Sequence, residues 1–283
     1  GTPDYARTFI DGLKDAEWVS VESPFGEPSD QLLLGNLGGL DVAFLPRHGR
    51  GHRLTPSHVP YRANIDALKR AGCTDVLSIS ACGSLRERYA PGDFVMVDQF
   101  IDRTFAREKS FFGPGMVAHV SMADPVCERL SQIAGDAAEA AGVTVHRSGT
   151  YLAMEGPQFS SRAESFLYRQ WECDVIGMTN MPEAKLAREA ELPYATMAMV
   201  TDYDCWHDTS EAVSVANVLE IMKSNTAAAK KALAELARAL SGVPRTASPQ
   251  AIETCLDYAL ITAPDARDPN LLRKLDAVAG RVL

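Results

Sequence analysis

The feature that most restricts this fold is a series of short apolar runs, each separated from the next by a helical pattern. "DVLSISACGSL" (residues 75–85) and "YATMAMV" (residues 194–200) read as buried strands. So do "DFVMVDQFI" (93–101), "GTYLAMEGPQF" (149–159) and "DVIGM" (174–178). Between them lie helical patterns at residues 57–72, 124–141, 161–171 and 181–191, and a long alanine-rich helix runs over 211–240. Ser57 is expected to cap the first of these helices, with Ile65 and Leu68 on one face and Gly72 at its end. Ser161 and Glu164 form an S-x-x-E capping box for the helix at 161–171. "QLLLGNLGGLDVAFLPRHG" reads as a hairpin. Strands alternating with helices predict an α/β fold, a mixed or mostly parallel β-sheet flanked by helices. "SGVPRTASPQ" (241–250) is a Pro/Ser-rich connector before a last helix in "NLLRKLDAVAG".

The rest of the composition excludes more than it selects. The chain has 283 residues, enough for a large core, and a net charge of −9 with no basic block, which argues against a nucleic-acid partner. Apolar stretches are interrupted within about ten residues, too soon for a membrane span or signal peptide. The six cysteines include no C-x-x-C pair and read as reduced thiols of a cytoplasmic protein. Dinucleotide, P-loop, nucleophile-elbow and zinc-protease signatures are absent.

What remains is a set of polar strand ends. "RHGRGH" offers arginine forks suited to an oxyanion, or a solvated basic turn. "SACGSL" is a small-residue turn whose backbone a ligand could approach, and Cys82 there reads as a packing thiol. "MEGPQFSSRAE" could set Phe159 against a flat ring and Glu155 near a sugar, or be only a helix entry. In "GMTNMPEA", Thr179 and the helix N–H groups could hold phosphate, with Met178 under a sugar face, or simply cap the helix. "VTDYDCWH" places Asp202 and Asp204 beyond a strand end. A calcium loop is not supported, because no glycine stands sixth from Asp202. A protonated carboxyl there could donate to N7 of a purine and accept from a 6-amino group, provided burial raises its pKa.

Taken together, "LPRHGRGHRLTPSHVPYRANIDALK", "ACGSL", "GDFVMVDQFIDRT", "EGPQFSSRAE", "GMTNMPEA" and "MVTDYDCW" resemble the 5'-methylthioadenosine phosphorylases, members of the trimeric purine nucleoside phosphorylase family, over residues 24–240. The resemblance implies a single phosphorylase domain over 1–283, with residues 241–283 acting as lid or subunit contact. It implies a homotrimer, or a dimer of trimers, that uses inorganic phosphate as co-substrate with no metal or organic cofactor. Arg47, His48, Ser80, Ala81 and Thr179 would hold phosphate. Thr2 would join them if "GT" at the start stands for the family's glycine-rich loop, from which the following proline departs. Met178 would pack on the ribose, and Phe159 and Ser160 would flank the base. Asp202, as N7 acid, and Asp204 would bind the purine edge. Val215, Val218 and Leu219 share one helical face and would line a methylthio pocket. His119 would reach a neighbouring subunit's ligand. The implied reaction is phosphorolysis of 5'-methylthioadenosine. Alternatives are phosphorolysis of adenosine, inosine or methylthioinosine, nucleoside hydrolysis, and binding of a purine nucleoside without turnover. An asparagine in place of Asp202 would suit 6-oxopurines, so the carboxyl points to 6-aminopurines.

Overall fold

The computed structural model describes residues 11–207 and 215–283, and for 215–219 the backbone alone. Thr2 and the side chains of Val215, Val218 and Leu219 therefore lie outside the described residues.

Three strands, β1 (Leu13–Val19), β2 (Leu32–Leu37) and β3 (Leu40–Phe44), form a small antiparallel meander. The expected hairpin is β2–β3, turning at Gly38 and Gly39, both at positive φ. The main sheet has seven strands: β4 (Val76–Ser84), β5 (Phe94–Val97), β6 (Gln99–Arg103), β7 (Val145–His146), β8 (Thr150–Met154), β9 (Val175–Gly177) and β10 (Tyr194–Asp202). Their spatial order is β6-β8-β9-β4-β10-β5-β7. Pairing is mixed, as expected: β10 runs parallel to β4 and antiparallel to β5.

One expectation needs correcting. Residues 93–101 do not make a single strand. Val97 ends β5 and Gln99 starts β6, and the two stand at the sixth and first places of the order. Five strand spacings would separate them by about 24 Å in a flat sheet. A single residue, Asp98, spans that gap, so the sheet must curl until its two sides nearly meet. Asp98 is tied at the crossing, its N–H donating to the Gly149 carbonyl and its carboxylate accepting from the Gly149 N–H.

The apolar runs lack alternation because both faces of the sheet are covered. Along β5, Phe94 and Met96 face one core while Val95 and Val97 face another. Along β10, Met197 points one way and Ala198 and Val200 the other. The first core lies under α2 (Glu128–Ala140) and α5 (Val215–Leu240), closed by Ala134, Ala138, Ala229 and Ala232. The second lies under α1 (Tyr61–Arg70) and α4 (Asn180–Glu189). α3 (Arg162–Gln170) starts at the predicted capping box, with the Ser161 side chain accepting from the Glu164 N–H and the Glu164 carboxylate from the Ser161 N–H.

Ser57 does not cap α1. It sits inside a short 3-10 turn, and Pro60, fixed in φ, occupies the cap position. The C-terminal segment is not a loose appendage. Leu256, Leu275, Val278 and Ala279 are fully buried in the second core, where each large apolar side chain contributes about 1.5–3 kcal/mol. The last helix is two short ones, α6 (Pro269–Lys274) and α7 (Asp276–Ala279). All six cysteines are free, and among the described residues no helix is long and apolar enough to cross a membrane.

Candidate active site

β4 is the spine of the site. Arg47, three residues beyond β3, lays its guanidinium against this strand. Nη1 donates to Ser78 Oγ at 3.0 Å and Nη2 to the Ile79 carbonyl at 2.7 Å. Nη1 also donates to both oxygens of Glu183, at 3.0 and 2.9 Å, with both side chains largely buried. Glu183 is held in turn by the Tyr194 hydroxyl at 2.7 Å, and Asn180 donates to Tyr194 and Thr196 behind it. Among the described residues Nε has no partner, and the four bonds from the two Nη atoms hold the guanidinium in place.

His48 Nδ1 lies 2.8 Å from the Leu54 carbonyl. A carbonyl only accepts, so Nδ1 carries the hydrogen and Nε2 is left for another partner. Burial holds its pKa below the usual histidine value, despite the pull of Leu54 the other way, and His52 stacks on it at 4.3 Å. Ser80 and Ala81 follow on β4. Ser80 is buried, and its hydroxyl makes only a long 3.4 Å contact with the Ala81 carbonyl. Thr179 stands at the N-cap of α4, yet its side chain makes no capping bond. Met178 packs beside it, its Sδ over Gly156, which sits at φ 70°, a backbone conformation that favours glycine.

Farther along β4, Asp202 pairs across the sheet with Gly83, at a break in register after Val200. Ile79, which anchors Arg47, and Gly83 are four residues apart, about 13 Å of strand. The two ends of the site thus lie on one strand and not on opposite faces of the molecule. Asp202 Oδ1 accepts from the Asp204 N–H at 2.8 Å, and the Thr201 hydroxyl lies 2.7 Å from Oδ2. Asp204 adopts a left-handed backbone, at φ 53°, and its Oδ2 accepts from Ser165 at 2.6 Å. A Cβ on Gly83 would sit 3.2 Å from Asp202 Oδ1 and 3.5 Å from Asp204 Cβ. The carboxyl that burial pushes upward is that of Asp204, with Ser165 opposing the shift. Ser160 joins this end through its carbonyl, 3.4 Å from Cys205 Sγ, and Phe159 is 85% exposed. Trp206, anchored on the Ser84 carbonyl and stacked under Arg169, holds the turn from below. The buried Asn225 of α5 donates to the Val200 carbonyl and fixes the long helix against this strand end.

Glu155 is not open to a sugar. Its carboxylate accepts from the Phe105 and Ala106 N–H groups, from Ser57 and from Arg107. Burial raises its pKa, but these donors outweigh it and hold the carboxyl below its usual range. Arg107, 1% exposed, also donates to the carbonyls of Met178 at 2.5 Å, Met181 at 2.6 Å and Glu155 at 2.6 Å. This residue, like Glu183, Ser165 and Ser78, escaped the sequence reading. Their roles come from pairings far apart in the chain, 136 residues for Arg47–Glu183, and no local pattern encodes them.

His119 stands apart. Its N–H donates to the Ala259 carbonyl, beside a bridge between Ala118 and Leu260, and no recorded contact joins it to Arg47 or Asp202 among the described residues. Nor, among those residues, do three or more His, Cys, Asp or Glu side chains gather as metal ligands.

A curled mixed sheet, with an arginine held on its central strand and an aspartate pair at the neighbouring strand's end, is an arrangement shared with known enzymes. The chain belongs to the phosphorylase superfamily, whose family model matches residues 1–241. Within it, the chain is similar to S-methyl-5'-thioadenosine phosphorylases. The protein of that name from Cereibacter sphaeroides is 62% identical over 97% of this chain and 94% of its own length. That from Rhodospirillum rubrum is 60% identical over 97% and 93%. Among solved structures, a methylthioadenosine phosphorylase from an antarctic soil metagenomic library superimposes with a TM-score of 0.90, at 47% identity and 96% coverage of both chains. A Schistosoma mansoni methylthioadenosine phosphorylase in complex with adenine gives 0.84, at 38% identity, over 88% of this chain and 95% of that one.

Proposed function

We propose that this chain is a pentosyltransferase that cleaves 5'-methylthioadenosine with phosphate, giving adenine and 5-methylthioribose 1-phosphate. A phosphate oxygen bonds to C1' as the bond from C1' to N9 breaks. The bonding pair stays on the purine, and N7 takes a proton. Arg47, His48, Ser80, the Ala81 backbone and Thr179 hold the phosphate, with Thr2 completing the set. The positive charge that builds on the ribose sits over that anion and over the soft face of Met178. Asp202 protonates N7, Asp204 accepts from the 6-amino group, and Phe159 and Ser160 flank the ring. Val215, Val218 and Leu219 take the methylthio group. Catalysis is positioning and electrostatics, with no protein nucleophile. The reaction needs no metal or organic cofactor, and phosphate is co-substrate.

The observation that carries this reading is the anchoring of Arg47 and Asp202 along one strand, β4, at Ile79 and Gly83, with small residues between them. It is supported by relatives at up to 62% identity bearing the name of that activity. The subunits are single domains that form a homotrimer in the cytoplasm; of these features, only a contact between subunits is supported by the exposed apolar side chains of Phe105, Val117, Tyr258 and Ile261. In that assembly residues 241–283 and His119 meet a neighbour. The deciding experiment is adenine release from 5'-methylthioadenosine, compared with adenosine and inosine, with and without phosphate. Phosphate-independent release would indicate a hydrolase, and binding without release a nucleoside-binding protein.

A further inference from the structure

Tyr151 lies on β8, paired with Phe100 of β6 and Val175 of β9, and is 0% exposed. Its ring meets Phe100 edge to face at 5.8 Å. The hydroxyl reaches under β9, where a Cβ on Gly177 would come within 1.9 Å of it. Only a glycine at 177 leaves room for this oxygen. There its neighbours include the Ser80 hydroxyl, the Thr179 N–H and Arg47, yet it has no hydrogen-bond partner among the described residues. A buried hydroxyl without a partner is penalised, and proteins rarely leave one unless something completes it. Two of its neighbours are equally under-used: Ser80 makes only a long contact and Thr179 no capping bond. Phenylalanine would fill the same space without the penalty.

We propose that Tyr151 is a positioning residue of the phosphate pocket, its hydroxyl donating to Ser80 Oγ so that the Ser80 hydrogen is turned to the anion. The order of donors is Thr179 N–H to Tyr151 oxygen, Tyr151 O–H to Ser80 oxygen, Ser80 O–H to phosphate. The chain closes when the anion draws Ser80 into line. A hydroxyl that both accepts and donates is polarised, which strengthens the last bond. This inference rests on the assignment of Ser80 and Thr179 to phosphate.

Tyr151→Phe tests it. The KM for phosphate should rise about tenfold, the loss expected for a hydrogen bond serving a charged group, while the KM for the nucleoside stays put. The melting temperature without ligand should hold or increase, and the increase produced by inorganic phosphate should shrink. In a Ser80→Ala background the same substitution should change nothing further. An unchanged phosphate KM, or effects that add in full, would overturn the proposal. The melting shift with inorganic phosphate alone keeps this test separate from the activity: a shift lost in the variant upholds it even if the wild-type releases no adenine. Should the variant fail to fold, 3-fluorotyrosine at 151 in the wild-type protein gives the answer, its fluorine resonance moving with added phosphate if the contact exists and staying fixed if it does not.

Discussion

At the Arg47 end of the crevice a cation is fixed by a largely buried carboxylate, whereas at the Asp202 end two carboxyls are fixed by hydroxyls and backbone N–H groups, with no arginine or lysine bonded to them among the described residues. The first end spends part of its charge on Glu183 and gains a guanidinium that cannot swing. The second keeps its carboxyls unneutralised and gains a site where a proton is worth holding, as the upward shift at Asp204 indicates. The difference follows the chemistry each must do. An anion needs a fixed positive counterpart, and a leaving purine needs a proton that can move.

The largest expected effect comes from breaking the first end. Arg47→Ala should lower phosphorolysis by roughly 10²–10³-fold, as for loss of a group that stabilises transition-state charge. It should also destabilise the fold by about 3–5 kcal/mol, because Glu183 is left buried and unpaired. Adding Glu183→Ala should return most of that stability in thermal melts and none of the activity. Recovery of turnover in the double variant would erase the proposed contrast.

Next is the purine end. Asp202→Asn should cost 6-aminopurine nucleosides about 10²-fold, the scale of a lost general acid, and 6-oxopurine nucleosides far less. Steady-state rates on paired substrates measure this, and equal losses would remove Asp202 from the acid role. A milder probe is Gly83→Ala, which sets a methyl group 3.2 Å from Asp202 Oδ1. Overpacking of about 1–2 kcal/mol should raise the nucleoside KM about tenfold and leave the phosphate KM alone. A change in the phosphate KM would mean that the two ends are not independent.

The smallest effect is Ser165→Ala, a loss of about fivefold or less, the worth of one hydrogen bond. Its signature is in pH. The Asp204 carboxyl is raised in the folded state, so its contribution to stability is present below the unfolded carboxyl's pKa and fades as pH climbs through the folded one. Ser165 opposes that shift, so removing it should move the fading of stability to higher pH in thermal melts. A move to lower pH would contradict the assignment.

The uneven legibility of the chain has a physical reason. The Ser161–Glu164 capping box, the hairpin at Gly38–Gly39 and the two-sided strands β4 and β10 were readable because their causes are local. The break at Asp98 was not, since one aspartate in "DFVMVDQFI" gives no sign that the sheet closes on itself there. Ser57 read as a cap because it precedes a helical pattern, and Pro60 overrode it. In the site, strand-end residues such as Arg47 and Asp202 were visible as polar interruptions, and the resemblance supplied their roles. Glu183, Ser165 and Arg107 were invisible because each is defined by what it touches and not by its neighbours in the chain.

Arg107 carries a last consequence. One guanidinium grips carbonyls from the ends of β8 and β9 and from the start of α4, while the Glu155 carboxylate it pairs with collects two N–H groups from Arg107's own loop. Three segments are therefore latched by a single bolt. Anyone reshaping this crevice by swapping loops between relatives should transplant residues 104–109, 154–160 and 178–183 as one cassette, because a foreign length in any of them pulls the other two out of alignment.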